Sequence, residues 1–189
     1  MHLQIKRICV PTDFSPSAEH ALHYGAGLAE FHEAELHLLH VLQDFEQIVL
    51  HPDYTASGEQ IRDYFDQLEQ TVVGPPGDVP VEHEASEEEG VHRFLRSLEL
   101  GIDKQFAEVP LDKWWERIRI LRATRYGNPA REICGYARNH SIDLLVLGTH
   151  GRTGLSQLLI GSVAERVVRV SPCPVLTVRH PAHDFIVED

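Results

Sequence analysis

The residues of this chain best placed to do chemistry lie between positions 148 and 162, in the run GTHGRTGLSQLLIGS. Two residues separate Gly148 from Gly151, and Gly161-Ser162 follows after nine more. The run comes directly after the apolar stretch Asp143–Leu147, DLLVL. Glycines at a strand end let the backbone approach a ligand with no Cβ in the way, and successive N–H groups in such a turn form a concavity that holds an anion. Ser162 opens the next helix, Val163–Val170, and the amides and dipole of a helix N-terminus favour the same anion. The chemistry implied is the binding of one phosphate group from two sides. A plain structural reading uses the same residues: the glycines make a turn, and Ser162 with Glu165 three residues later forms a capping box. His150 and Arg152 stand inside the loop, where Arg152 either pairs with a phosphate oxygen or is a solvated cation.

Such a loop works only if strands and helices hold it. Five short apolar runs read as strands: Arg7–Pro11 (RICVP), Glu35–Val41 (ELHLLHV), Arg117–Ala123 (RIRILRA), Asp143–Leu147 and Pro174–Val178 (PVLTV). Their continuity, rather than alternation, fits strands covered on both faces by helices in a mostly parallel sheet. Ser15-Pro16 and Asn128-Pro129 each pair a capping residue with a proline at the first helical position, so helices start there. Ile61, Tyr64, Phe65, Leu68 and Val72 predict another helix over Ser57–Val73. In an open parallel sheet, ligands bind beyond the carboxyl ends of the strands where the strand order reverses. The first strand ends at Pro11-Thr12-Asp13 and the fourth at Gly148, natural neighbours at such a point.

One stretch breaks the alternation. From Gly74 to Lys113 the chain runs through GPPGDVP, an acidic cluster at Glu82–Glu89 and VHRFLRSLELGIDKQF, with Val91, Phe94, Leu95 and Leu98 at amphipathic spacing. Residues 74–113 therefore read as a partly helical insertion within a single domain spanning 1–189, and residues 180–189 as a loose acidic tail. Trp114-Trp115 at its end suits core or interface.

The 29 acidic residues against 17 basic give a net charge of −12, a field that repels nucleic acid. A mononucleotide is not excluded, because backbone amides can hold phosphate locally. Cys9, Cys134 and Cys173 form no CxxC pair and suit buried free thiols in a reducing compartment, so a cytoplasmic protein is expected. No signal peptide or apolar run of membrane-spanning length appears, so no membrane partner is expected. Thirteen histidines include no HxH or HExxH, which leaves His37 and His40 as packed strand residues rather than metal ligands. No spacing defends a catalytic triad.

The pattern Gly148-x2-Gly151-x9-Gly161-Ser162 resembles the signature of the ATP-binding branch of the universal stress protein family. VPTDFSPSAEHAL at residues 10–22 and PCPVLTVRH at 172–180 are similar to that family's first strand and helix and its last strand. The resemblance implies an open, five-stranded parallel α/β sheet of Rossmann-like type, in the order 3-2-1-4-5, with helices on both faces. It implies ATP as ligand, with a divalent ion such as Mg2+ able to bridge the phosphates. Pro11, Thr12 and Asp13 would line the adenosine end, Asp13 accepting from adenine or ribose. Val41 would meet the base through its backbone and Leu147 through apolar packing. Gly148, Gly151, Gly161, Ser162 and Val163 would hold ribose and phosphates, with His150 and Arg152 beside them. A homodimer through the last strand follows from the same resemblance. The expected function is nucleotide-dependent stress response or signalling with at most slow ATP hydrolysis. Its rivals are a nucleotide hydrolase on the same scaffold and an interaction module that binds no nucleotide.

Overall fold

Strand β1, Arg7–Thr12, carries Ile8, Cys9 and Val10 with no exposed surface, as its unbroken apolar run requires. A computed structural model describes residues 4–43, 71–72, 90–110, 116–149 and 160–179. Helix α1, Pro16–His32, starts where the Ser15-Pro16 pair places it, with the Ser15 hydroxyl accepting from the Ala18 amide at 3.3 Å. Strand β2 is Glu35–Leu42 and β3 is the two-residue strand Thr71–Val72. Helix α2 covers Gly90–Ala107, β4 is Ile120–Tyr126 and α3 is Pro129–Asn139, capped by Asn128 as expected. The chain continues through β5, Leu144–Gly148, α4, Ser162–Val170, and β6, Val175–Val178.

The strands lie in the order β3-β4-β2-β1-β5-β6. All pairs are parallel except β3 with β4. The five parallel strands thus reproduce the expected order 3-2-1-4-5, and β3 adds a short antiparallel edge. Successive strand residues point to opposite faces. Ile8, Val10, Leu36, Leu38 and Val146 join α1 and α2 in one core cluster, while Cys9, Leu39, Val41, Leu145 and Leu147 join α3 and α4 in the other. Each fully buried Leu or Ile contributes roughly 1.5–3 kcal/mol.

Three expectations need correction. Thr71 and Val72 end the stretch expected as a helix over Ser57–Val73, yet they pair antiparallel with Arg122 and Leu121. β-branched residue types beside the following Gly-Pro-Pro favour extended backbone there; residues 57–70 lie outside the described residues. The third parallel strand begins at Ile120 rather than Arg117 and runs on to Tyr126, because its partners on β2 extend to Leu42. Finally, α4 starts at Ser162, with Gly161 as its N-cap.

Part of the 74–113 stretch is described. Leu95, Leu98, Ile102 and Phe106 of α2 recur every three or four residues and are all buried against the sheet. Arg122 of β4 donates to the Phe106 carbonyl at 3.3 Å and stands 5.4 Å from the centre of that ring. α2 is therefore part of the core.

Candidate functional site at the β1–β5 crevice

Strand β1 pairs with β2 along its whole length, from Arg7↔Glu35 to Thr12↔His40. Its ladder with β5 stops at Cys9↔Leu145, although β1 continues to Thr12 and β5 to Gly148. Pro11 has no amide proton to extend that ladder. The hydrogen-bonded pairing thus ends three residues short of both strand tips, at the point where chain order across the sheet reverses. In an open parallel sheet this carboxyl edge, at the reversal point, is where a ligand crevice is expected.

On one side of it lies the turn from Thr12 to Ser15. The Thr12 hydroxyl accepts from the Phe14 amide at 3.0 Å, and Asp13 Oδ1 accepts from the Ser15 amide at 3.1 Å. Phe14 has φ 60°, the left-handed region that a bulky side chain seldom enters. These bonds hold the turn despite a local cost of about 1–2 kcal/mol. Pro11 is buried, and Thr12 and Asp13 are half-buried at the tip.

The other side is built by β5 and α4. The Thr149 amide donates to the Val178 carbonyl at 2.9 Å, and the Gly161 amide donates to the Thr149 carbonyl at 2.7 Å. Thr149 therefore ties the tips of β5 and β6 to the start of α4. Among the described residues no side chain caps α4, and Ser162, its first residue, is exposed. The capping box of Ser162 with Glu165 does not form; the Glu165 amide donates to the Gly161 carbonyl instead. An uncapped helix start at a strand tip is a donor set for an anion.

Gly148 has a second reason to be glycine. A Cβ there would lie 2.7 Å from the carbonyl oxygen and the hydroxyl of Ser17 in the first turn of α1. The buried Ser17 hydroxyl has no hydrogen-bond partner among the described residues. Close packing of α1 on β5 thus demands glycine whether or not a ligand is bound.

The sequence-derived candidates divide accordingly. Pro11, Thr12 and Asp13 lie at the carboxyl end of β1, and Gly148, Gly161, Ser162 and half-buried Val163 at the end of β5 and the start of α4. Val41 and Leu147 have their side chains in the α3–α4 core, 8% and 4% exposed, so only their backbones reach the edge. His150, Gly151, Arg152 and the Trp114-Trp115 pair lie outside the described residues. Thr149, Ser17, Phe14 and His40 were not singled out as site residues, because their parts depend on carbonyls and rings contributed from elsewhere in the chain.

Both strand histidines are packed. His40 faces α1 and α2, and His37 faces α3, where Nδ1 meets the Tyr136 hydroxyl at 2.9 Å. Burial lowers His37 to about 4, with Glu35 opposing the shift, and burial pushes the Tyr136 phenol well up. Cys9, Cys134 and Cys173 are free thiols, all held above the usual range by burial. The described residues contain no group of three or more His, Cys, Asp or Glu suited to a metal ion, and no helix long and apolar enough to cross a membrane.

A parallel sheet in the order 3-2-1-4-5, with helices on both faces and a helix starting beyond the tip of β5, defines a Rossmann-like α/β protein. The family model for the universal stress protein family matches residues 4–96 and 116–179, and the chain belongs to that family. It is 29% identical over 179 residues to universal stress protein MJ0577 of Methanocaldococcus jannaschii, a match covering 95% of this chain and 98% of that protein. Universal stress protein MJ0531 of the same organism is 47% identical over 64 residues, which span only 38% of its length and 34% of this chain. Among solved structures, that of MJ0577 superposes with TM-score 0.63 at 24% identity, covering 95% of this chain and 99% of the other. UspA from Lactobacillus plantarum superposes with TM-score 0.60 at 22% identity, covering 94% and 100%.

Proposed function

We propose that the β1–β5 crevice binds an adenine nucleotide, ATP first, and that the protein acts in stress response or signalling through that binding, with at most slow hydrolysis. The observation that carries the reading is the β1–β5 ladder ending at Cys9↔Leu145, short of both strand tips at the reversal point, together with an α4 start beyond β5 that no side chain among the described residues caps. Backbone amides of the 148–163 segment would take the phosphates, joined by His150 and Arg152, and the Thr12–Asp13 lip would take the nucleoside. The backbones of Val41 and Leu147 would border the base. Mg2+ would bridge the phosphates while keeping most of its waters, so it requires no dedicated carboxylate cage. A universal stress protein of the same fold, solved in complex with cAMP (TM-score 0.50, 19% identity, 94% of this chain and 98% of that one), supports a nucleotide as the ligand class.

Two further features belong to the same reading. β6 ends the sheet, and Leu176 is partly exposed on it, which suits edge-to-edge pairing with a second copy. The unpaired thiols suit the cytoplasm. The test is direct: purified protein is denatured and the supernatant run on an anion-exchange column. Adenine nucleotide should be released from the wild type and not from Gly161→Val. Equal yields from both would overturn the assignment of the phosphate end.

A further inference from the structure

We infer that His40 is a positioning residue for the nucleoside lip of the crevice. The inference rests on the nucleotide reading above and names what holds one half of that site in place. His40 is 2% exposed, two residues before the end of β2 and beside Thr12 in the β1–β2 register. Its Nδ1 lies 2.9 Å from the Thr12 carbonyl oxygen. A carbonyl only accepts, so Nδ1 carries the proton and donates. The imidazole ring also lies 4.7 Å, centre to centre, from the Phe14 ring. Phe14 in turn meets Phe106 of α2 edge-on at 5.2 Å.

His40 therefore grips the turn at two places, the carbonyl of Thr12 and the ring of Phe14, on either side of Asp13. That turn contains a bulky residue at φ 60°, a conformation kept only where its surroundings over-determine it. The Asp13 carboxylate is aimed by this backbone. If the Thr12 carbonyl loses its side-chain donor, the turn can relax towards an ordinary φ and carry Asp13 away from the ligand. A displacement of about 1 Å in such a group is enough to weaken binding.

Two substitutions separate this role from simple packing. In His40→Asn the amide nitrogen takes the place of Nδ1 and still reaches Thr12. In His40→Gln it takes the place of Nε2 and does not. Both are neutral, polar and smaller than the ring-filled original. ATP and AMP affinities are measured by calorimetry on both variants and on Leu38→Ala, a control two residues earlier on the same buried face of β2. His40→Asn should stay within about threefold of wild type, and His40→Gln should bind about tenfold more weakly, ~1.4 kcal/mol. The factor should be equal for AMP and ATP, since the nucleoside end is affected. Leu38→Ala should lose thermal stability but stay within threefold. In the ligand-free proteins, the NMR amide signals of Asp13 and Phe14 should move further in His40→Gln than in His40→Asn. Wild-type affinity in His40→Gln, a tenfold loss in Leu38→Ala, or equal amide shifts in the two His40 variants would overturn the role given to His40. A wild type that binds neither nucleotide would instead overturn the nucleotide reading, and the positioning role with it.

Discussion

Replacing Gly148 with alanine puts the two reasons for that glycine in competition. The added Cβ would stand 2.7 Å from the Ser17 carbonyl oxygen, 2.7 Å from its hydroxyl and 2.9 Å from its carbonyl carbon. Real Cβ contacts are longer, so something must give. The hydroxyl can rotate away, but the carbonyl belongs to the first turn of α1, whose position is set by the Ser15 cap, by buried Ala18, and by Ala21 and Leu22 in the core. Overpacking of this kind costs about 1–3 kcal/mol. For a domain of this size each kcal/mol lowers Tm by about 2–4 °C, so Gly148→Ala should melt roughly 4–8 °C below wild type for ~2 kcal/mol lost. Thermal unfolding followed by circular dichroism reads this directly. Ser17→Ala in the same background should recover only a minor part, because the carbonyl contact remains. A Gly148→Ala Tm within 1 °C of wild type would refute the packing argument. Full recovery by Ser17→Ala would show that the hydroxyl alone was the obstacle.

Two other consequences concern stability. Burial lowers His37 from an ordinary 6.5 to about 4, so between those values the unfolded chain binds a proton that the folded chain does not. Its contribution is complete above pH 6.5 and is lost as pH falls towards 4, about 3 kcal/mol across the window. Burial lowers His140 in the same direction. Urea unfolding of wild type and His37→Phe from pH 7 to pH 4 should give a shallower loss in the variant, and parallel curves would contradict the assignment. Ser15→Ala removes the hydroxyl that caps α1 and should cost ~1 kcal/mol in the same assay, whereas no change would mean that the 3.3 Å contact contributes nothing.

Most of the sheet was legible in the sequence because its strands are buried on both faces and so read as continuous apolar runs, and because Ser15-Pro16 and Asn128-Pro129 mark helix starts without reference to anything distant. What escaped is what depends on distant partners. Ile118 is buried while still in a turn, so counting apolar residues starts the third parallel strand too early. The polar end of β4, Thr124–Tyr126, is a strand only because residues 40–42 of β2 lie beside it. Ser162 is the stronger capping residue by type, yet Gly161, whose amide is bonded to the distant Thr149 carbonyl, takes the cap position of α4. The candidate site was legible only as a glycine spacing over residues 148–161, of which Gly151 lies outside the described residues. The grip of His40 on Thr12 and Phe14 was not legible, since a histidine in an apolar strand looks the same whether it fills space or holds a turn.

Above all, an adenine nucleotide should bind on backbone amides at the carboxyl ends of β1 and β5. Calorimetric titration of nucleotide-stripped protein with ATP in the presence of Mg2+, alongside the double variant Gly151→Val/Gly161→Val, tests it most directly. Saturable binding with a Kd in the micromolar range, about −8 kcal/mol, is predicted for the wild type and none for the double variant. No binding by the wild type at millimolar ATP, or unchanged affinity in the double variant, would contradict it.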